Sequence, residues 1–232
     1  MINAAKLNPT DTVLEIGPGT GVLTKALAKN ADRVLTIEKD ERMAEELKKS
    51  LNEGGFSNIE VGPKDILKFV PTLDQYKVVA NIPYYLTSRL LRFVFEEWPR
   101  PELIVLTVQK EVAKRIVARP PKMNLLAFSV QFFGKPEIIK TVPPECFYPK
   151  PKVESAIIKI TPRREELTNI EKTFKVAKAI FSSPRKTVLN NLSQFYGRMV
   201  AKRTLDKAGI EHRKRGGELS VEDIIRLSSV PS

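Results

Sequence analysis

The sequence has very little of the chemistry that metal sites and nucleophilic catalysis need. Its 232 residues contain one cysteine, Cys146, and one histidine, His212. These counts exclude a Cys/His metal site and a disulfide framework, and they disfavour cysteine or Ser-His catalysis. No apolar run approaches the roughly 18 residues of a membrane span, and no signal-peptide pattern follows Met1. We therefore expect a soluble, cytoplasmic protein with no metal, and we expect Cys146 to be a small buried side chain.

Positive charge is the property that the sequence has in excess. Lysine and arginine number 39 against 27 aspartates and glutamates, which gives a formal net charge of +12 and a pI near 9.7. A surplus of this size favours a polyanionic partner, either nucleic acid or an anionic membrane surface. Hydrophobic residues make up 42% of the chain, enough for one domain with a sizeable core and a smaller appendage.

The first 162 residues alternate strand-like and helix-like segments. The apolar runs predict strands at 13–16, 33–38, 58–61, 77–80, 103–108, 137–142 and 155–160. The amphipathic stretches predict helices at 20–29, 40–52, 87–97, 110–118 and 124–134. Repeated βα units predict a Rossmann-like α/β domain over 1–162, with a mostly parallel sheet, helices on both faces and an antiparallel edge.

The pattern changes after Pro162. Residues 163–232 show helical periodicity only, and they carry 15 Lys/Arg against 8 Asp/Glu. We predict a small all-helical domain over 163–232 that has the higher density of positive charge.

A glycine-rich turn follows the first predicted strand. Gly17, Gly19 and Gly21 form a G-x-G-x-G pattern, and glycines let the backbone turn sharply and approach a ligand closely. Glu38, at the end of the second strand, is placed to hold the ribose hydroxyls of a nucleoside. The same logic serves NAD and S-adenosylmethionine, although Val22 replaces the third glycine of the dinucleotide pattern. A tight strand–helix turn without a ligand is the simpler alternative.

A second motif, Asn81-Ile82-Pro83-Tyr84, follows the fourth predicted strand. An adenine amine is conjugated with its ring, so it needs acceptors that orient its N–H bonds and disfavour that conjugation. The Asn81 side-chain oxygen and the carbonyl before Pro83 can supply them, and Tyr84 can stack on an extruded base. The alternative is an ordinary proline turn with an aromatic ring in the core.

Two further segments carry candidate residues near the predicted sheet. Asp65, after the third strand, can accept a hydrogen bond from a cofactor's adenine amine, or it can be a helix N-cap. The stretch FYPKPKVES presents Phe147 on a proline-stiffened loop as a second wall for the base. Lys150 and Lys152 follow Phe147 closely in the sequence, so they can contact phosphates beside the base. A proline-rich connection before an edge strand is the alternative.

The segment FSSPRKTVLNNL supplies the last candidates. We expect Pro184 at a helix start, with Arg185 and Lys186 in its first turn, where they oppose the helix dipole. Basic residues in that place indicate a phosphate partner, although a solvated basic face is an equal alternative.

Taken together, these motifs resemble the small-subunit ribosomal RNA adenine dimethyltransferases, from about Asn3 to Leu227. The motifs EIGPGTGVLT, NIPY, FYPKPKVES and FSSPRKTVLNNL occur in the family's order, and ELSVEDIIRLS is similar to its last helix. The resemblance implies transfer of methyl groups from S-adenosylmethionine to N6 of two adjacent adenosines near the 3′ end of small-subunit rRNA. It also implies a monomer that acts on the immature small subunit and does not bind membranes.

The resemblance assigns roles to the candidate residues. It implies that the cofactor contacts five of them: Gly17, Gly19, Glu38, Asp65 and Asn81. It implies that Asn81, Pro83 and Tyr84 handle the target base, with Phe147 as its other wall. It implies that the helical domain over 163–232 binds rRNA, and the rRNA contacts would include Lys150, Lys152, Arg185 and Lys186.

The sequence also departs from the family pattern. The family's Q-N-F-L-like segment, which lines the cofactor site, is missing before the first helix, so we expect a chain starting at Met1 to bind the cofactor less tightly. Pro184-Arg185 replaces a double arginine, and the stretch 119–124 is shorter than usual. The alternatives are a large-subunit rRNA methyltransferase of the antibiotic-resistance type and a ribosome-assembly factor that no longer catalyses.

Overall fold

The computed structural model describes residues 1–165 and 167–230, and its central feature is one seven-stranded sheet. The strand order is β3-β2-β1-β4-β5-β7-β6. The strands are β1 Thr12–Ile16, β2 Arg33–Glu38, β3 Ile59–Pro63, β4 Lys77–Ala80, β5 Leu103–Gln109, β6 Gly134–Val142 and β7 Ser155–Pro162. The helices are α1 Ile2–Ala5, α2 Val22–Ala28, α3 Glu41–Glu53, α4 Thr87–Glu96, α5 Lys110–Ile116, α6 Leu125–Phe133, α7 Ile170–Ile180, α8 Val188–Tyr196, α9 Arg198–Ala208 and α10 Val221–Ser229.

The sheet is mostly parallel with an antiparallel edge, as the sequence predicts. Strand β1 pairs in parallel with β2 and β4, and β2–β3 and β4–β5 are parallel as well. Strand β7 runs antiparallel to β5, in a register from Ile104↔Ile160 to Gln109↔Ser155. All four residues of β4 are buried. Lys77 pairs there with Asp11 at 2.6 Å, and the three residues after it are apolar without alternation, as expected for a strand covered on both faces.

The chain divides into two units. Unit 1 comprises Met1–Ala113 and Lys135–Pro162, and unit 2 comprises Lys114–Gly134 and Arg163–Ser232. The core of unit 1 includes a cluster of buried side chains from α1, α2 and the central strands, among them Leu27, Val34 and Val105. The predicted domain boundary after Pro162 coincides with one end of unit 1, whereas the segment 114–134 groups with the C-terminal residues.

The segment 114–134 joins unit 2 because α6 is apolar over most of its circumference, apart from Ser129 and Gln131. Phe128, Phe132 and Phe133 are buried, and each ring lies between 5.4 and 5.7 Å, centroid to centroid, from the ring of Phe174 on α7. A helix that is hydrophobic on most sides has to be covered by neighbouring elements. Alternation of strands and helices along the sequence does not show which elements provide that cover.

Parallel pairing aligns the carboxyl ends of four strands at one edge of the sheet. Ile16, the last residue of β1, is opposite Ile37 on one side and Ala80 on the other, and Glu38 is opposite Pro63. The segments that leave β1, β2, β3 and β4 therefore start from the same edge, where open α/β sheets bind their ligands.

Candidate active site

The segments that leave these four strands surround a cavity of about 900 Å³ in unit 1. It is also lined by the loop at 147–151. Eight of the residues selected from the sequence line it: Gly17, Gly19, Glu38, Asp65, Asn81, Pro83, Tyr84 and Phe147. The structure thus brings together the residues predicted for the cofactor and the base, and their individual roles remain predictions.

The glycine turn after β1 depends on backbone conformations that favour glycine. Gly17 has φ 67° and Gly19 has φ 55°, both in the left-handed region. The Gly17 N–H donates to the carbonyl of Ile37 at 3.0 Å, which ties the turn to β2. No heavy atom lies within 4 Å of the Cβ position that either glycine lacks, so the backbone here is open to close approach by a ligand.

Glu38 keeps one carboxylate oxygen free for a ligand. Its Oε1 accepts the backbone N–H groups of Lys39 at 2.8 Å and Asp40 at 3.0 Å. Those two bonds fix the orientation of the carboxylate at the end of β2. Within the described residues Oε2 has no hydrogen-bond partner, and the side chain lines the cavity.

Asp65 fulfils the structural alternative and lines the cavity as well. Its Oδ1 accepts the N–H of Leu67 at 3.0 Å and caps a short 3₁₀ helix, Ile66–Lys68. Its Oδ2 lies 3.2 Å from Nζ of Lys39. The Leu67 N–H, and then Lys39, hold the pKa of this carboxyl below its usual value. Asp65 is therefore an ionised acceptor at the wall of the cavity.

The turn from Asn81 to Tyr84 presents polar groups that the fold leaves unused. The Asn81 side chain is exposed and lines the cavity, and it has no hydrogen bond within residues 1–165 and 167–230. The N–H of Leu86 donates to the carbonyl of Pro83 at 2.9 Å, which closes the turn. No hydrogen bond from the same part of the chain reaches the carbonyl of Ile82, the residue before the proline.

Tyr84 is held by a contact that the sequence pattern does not reveal. Its hydroxyl shares a 2.6 Å hydrogen bond with Oγ of Ser155, which is completely buried at the start of β7. The ring itself is only half-buried and lines the cavity. Tyr84 is therefore not a core aromatic, and its ring is fixed at the side of the site.

The loop that carries Phe147 forms another wall of the cavity. Phe147 is half-buried and follows a short 3₁₀ helix, Pro144–Cys146. Cys146 is exposed in that turn, so the expectation of a buried cysteine was wrong: the segment lies on the surface between β6 and β7. Lys150 and Lys152 do not line the cavity, and Lys150 pairs with Glu145 at 2.7 Å.

Glu15 is the first residue of the EIGPGTGVLT motif, although no role was predicted for it from the sequence. It lies in β1, two residues before Gly17, and only 1% of it is exposed. Burial raises the pKa of its carboxyl group to about 7, an effect that the nearby hydroxyls of Thr24 and Thr36 only partly oppose. None of the three side chains completes a hydrogen bond within the described residues. The sequence signal for this buried carboxyl group was a glutamate inside the apolar run TVLEI.

In unit 2, Arg185 and Lys186 lie in a turn that precedes α8. The N–H of Lys186 donates to the carbonyl of Ser183 at 3.1 Å, and α8 begins at Val188 with Thr187 as its N-cap. The prediction that both residues occupy the helix's first turn was wrong, because the Thr187 hydroxyl caps the helix three residues after Pro184. Both side chains are exposed and have no ion pair within the described residues.

A second basic segment, not identified from the sequence, lies beside this turn. The N–H of Val188 donates to the carbonyl of Lys214 at 2.7 Å, and Thr187 and Arg215 form an isolated antiparallel bridge. The run Arg213–Lys214–Arg215 is therefore adjacent to Arg185 and Lys186. We refer to these five residues, which lie in two adjacent turns, as the basic turn pair.

Neither a metal cluster nor a membrane-spanning helix occurs in the described part of the chain. Residues 1–165 and 167–230 contain no group of three His, Cys, Asp or Glu side chains that could hold a metal ion. No helix in the same residues has the length and apolar character to span a bilayer.

Comparison with known proteins gives a consistent set of relatives. The family model described as ribosomal RNA adenine dimethylase matches residues 1–230. The ribosomal RNA small subunit methyltransferase A of Dehalococcoides mccartyi is 44% identical, over 95% of this chain and 78% of the relative.

Two solved structures resemble the chain over nearly its whole length. A dimethyladenosine transferase from Plasmodium falciparum is 33% identical with a TM-score of 0.85, covering 97% of this chain and 91% of that one. The 23S rRNA methyltransferase ErmE is 30% identical with a TM-score of 0.78, covering 97% and 93%.

Proposed function

Because the chain belongs to the ribosomal RNA adenine dimethylase family, we propose that it methylates N6 of two adjacent adenosines near the 3′ end of small-subunit rRNA. The methyl donor is S-adenosylmethionine, and each adenosine receives two methyl groups. The observation that carries the proposal is the turn at 81–84, where an unbonded Asn81 amide, a free carbonyl and a fixed tyrosine ring meet in one cavity.

The residues on the sheet side of the cavity fit the cofactor. The open backbone at Gly17 and Gly19 accepts close approach, and the free Oε2 of Glu38 suits the two hydroxyls of a ribose. Asp65 stays ionised and can accept from an exocyclic amine. When bound, S-adenosylmethionine supplies an electrophilic methyl group on its sulfonium.

The residues at 81–84 and 147 would prepare the target amine. The Asn81 side-chain oxygen and the Ile82 carbonyl accept its two N–H bonds, which reduces conjugation of the nitrogen lone pair with the ring. Tyr84, fixed through Ser155, and Phe147 hold the extruded base from its faces. Catalysis then depends on positioning and on acceptors set in advance, and the amine proton leaves to water after transfer.

Unit 2 would supply contacts to the rRNA backbone. The basic turn pair concentrates five lysine and arginine residues that are exposed or half-exposed, which suits phosphates. Lys152 adds an exposed cation on the 147–155 segment, whereas Lys150 has to leave Glu145 before it can contact RNA.

The test is methyl transfer to small ribosomal subunits that lack these modifications, with the nucleosides identified by mass spectrometry. We expect N6,N6-dimethyladenosine at two adjacent positions. Asn81→Ala should lower the rate by roughly 10²–10³, the usual cost of losing one preorganised acceptor. Asn52→Ala, which alters an exposed asparagine on α3, is the matched control and should react at the parental rate.

Two results would contradict the proposal. Modification of large subunits but not small subunits would support the antibiotic-resistance alternative. Binding of small subunits without cofactor binding or transfer would support an assembly factor that does not catalyse.

A further inference from the structure

Two segments at the cavity each carry a pair of consecutive aromatic residues. In each pair the first ring is half-buried, at Tyr84 and at Phe147. The second ring is exposed: Tyr85 shows 82% of its surface to solvent and Tyr148 is fully exposed. All four residues line the same cavity. The site therefore has an inner aromatic pair and an outer aromatic pair.

The fold does not use the outer rings. Tyr84 is fixed by its hydrogen bond to Ser155, but the hydroxyls of Tyr85 and Tyr148 make no hydrogen bond within the described residues. Tyr84 and Tyr85 belong to a 3₁₀ helix, Tyr84–Leu86, in which successive side chains point about 120° apart. Tyr85 thus diverges from Tyr84 and leaves a large ring face in water.

A cation accompanies the outer pair. Arg89 lies four residues after Tyr85, on the helical segment that continues from the 3₁₀ turn into α4, so the two side chains share one side of it. Arg89 is exposed, lines the cavity, and has no ion pair in residues 1–165 and 167–230. Exposed aromatic faces beside a free cation are what single-stranded nucleic acid binds.

We infer that Tyr85, Tyr148 and Arg89 form a second base-binding site at the mouth of the cavity, for the nucleotide next to the target adenosine. The inference rests on the proposed function, in which that neighbour is the second adenosine. The outer rings stack on its base and Arg89 contacts an adjoining phosphate. One adenosine is thereby held outside while the other is in the cavity, which fixes the register of the RNA strand.

The experiment places 2-aminopurine, in turn, at each position of the adenosine pair in a short single-stranded RNA. This base fluoresces, loses fluorescence on stacking, and lacks the amine that is methylated. Binding is measured with S-adenosylhomocysteine present, for the parent and for Tyr85→Leu, Tyr85→Phe, Tyr148→Leu and Arg89→Gln. Phe195→Leu, which alters an exposed ring in unit 2 (59% exposed), is the matched control.

At the position that the outer rings bind, we expect quenching in the parent, in Tyr85→Phe and in the control, whereas a base held between Tyr84 and Phe147 is quenched in every variant. Tyr85→Leu and Tyr148→Leu should reduce the quenching at that position and weaken RNA binding about five- to 150-fold, the range for loss of one stacked base. Arg89→Gln should shallow the salt dependence of binding by about 0.7, because one phosphate loses its cation.

Equal quenching at both positions in the parent and in both leucine variants would overturn the inference, as would RNA binding by the parent without quenching at either position. Both results are independent of methyl transfer. Absence of transfer by the parent would instead overturn the proposed function, while the fluorescence still reports whether the outer rings stack on RNA.

Discussion

Glu15, beside the glycine turn of the site, has a carboxyl pKa that the fold raises. Its carboxyl group is almost completely buried at the carboxyl end of β1 and has no hydrogen bond within the described residues. The unfolded chain exposes this carboxyl to water, where its pKa is near 4.5, whereas the folded chain raises the pKa to about 7. The folded state therefore holds a proton that the unfolded state releases between these two pH values.

The first prediction concerns the pH dependence that follows from Glu15. A raised pKa in the folded state stabilises the protein fully below about pH 4.5, and this contribution is lost as the pH rises through about 7. The shift corresponds to about 3 kcal/mol. Glu15→Gln should remove that dependence, because the amide imitates the protonated acid. We expect the stability of the variant relative to the parent to increase from pH 5 to pH 8 in urea unfolding.

The matched control for this experiment is Glu45→Gln, since Glu45 is an exposed carboxyl on α3. Its difference from the parent should stay constant over the same range. If the Glu15→Gln and parental stabilities change in parallel with pH, Glu15 titrates as an ordinary carboxyl and its burial has no such consequence.

At this scale, local patterns identified eight of the residues that line the cavity. Gly17 and Asn81 each follow a strand directly, and an apolar run ending in such residues is visible in the sequence. The hydrogen bond between Tyr84 and Ser155 joins residues 71 positions apart. No periodicity indicates that pairing, which depends on how β7 is placed beside β5 in the sheet.

Among the elements, the start of α8 shows how a buried side chain within a helix can fix the turn that precedes it. Proline is frequent as the first residue of a helix, which is why the sequence predicts a helix start at Pro184. The turn at 183–186 is instead closed by its own hydrogen bond, and a side chain from α8 also holds it. Asn191, completely buried on α8, donates to the carbonyls of Ile180 at 2.7 Å and Ser183 at 3.0 Å. The helix therefore starts only at Val188, and the basic residues stay in a constrained turn.

The second prediction tests this role of Asn191. Asn191→Ala should destabilise the protein by about 2–3 kcal/mol, because the buried carbonyl of Ile180 and the partly buried carbonyl of Ser183 both lose their donor. It should also weaken rRNA binding, since the turn that carries Arg185 and Lys186 is released, while affinity for S-adenosylhomocysteine stays at the parental value. Thermal unfolding and filter binding with small-subunit rRNA measure the two effects.

Asn190→Ala is the control, because Asn190 is the exposed neighbour on the same helix. It should change neither stability nor RNA binding by a measurable amount. A stable Asn191→Ala protein with parental RNA affinity would show that the turn holds its shape without this side chain.

The sequence predicted the strands well, but it did not predict that α6 belongs to unit 2. The strands that run through the core are short apolar runs between turn residues, and β1, β2, β4 and β5 lie within two residues of their predicted limits. The grouping of 114–134 with unit 2 depends instead on contacts such as Phe128 with Phe174. Those rings are far apart in sequence, so the hydrophobicity of α6 predicts burial but not the partner.

On the scale of the whole molecule, the positive charge is unevenly distributed along the chain. Residues 163–232 carry 15 Lys/Arg against 8 Asp/Glu, and the remaining 162 residues carry 24 against 19. The structure brings five of the former group together as the basic turn pair. The two units thus have separate proposed roles, since unit 1 contains the cavity for cofactor and base and unit 2 contributes charge for the RNA backbone.

The last prediction separates these two roles. Replacing Arg185 and Lys186 together with glutamine should weaken binding to small-subunit rRNA and shallow the slope of log affinity against log salt. The slope should change by roughly 0.7–0.9 for each phosphate that the variant no longer neutralises. Cofactor affinity should not change, because both residues lie outside the residues that line the cavity. Lys48→Gln with Lys49→Gln removes the same charge from an exposed part of α3 and should leave the slope at the parental value. If both double variants shift the slope equally, the RNA responds only to net charge, and the turn at 183–186 has no specific interaction with phosphate.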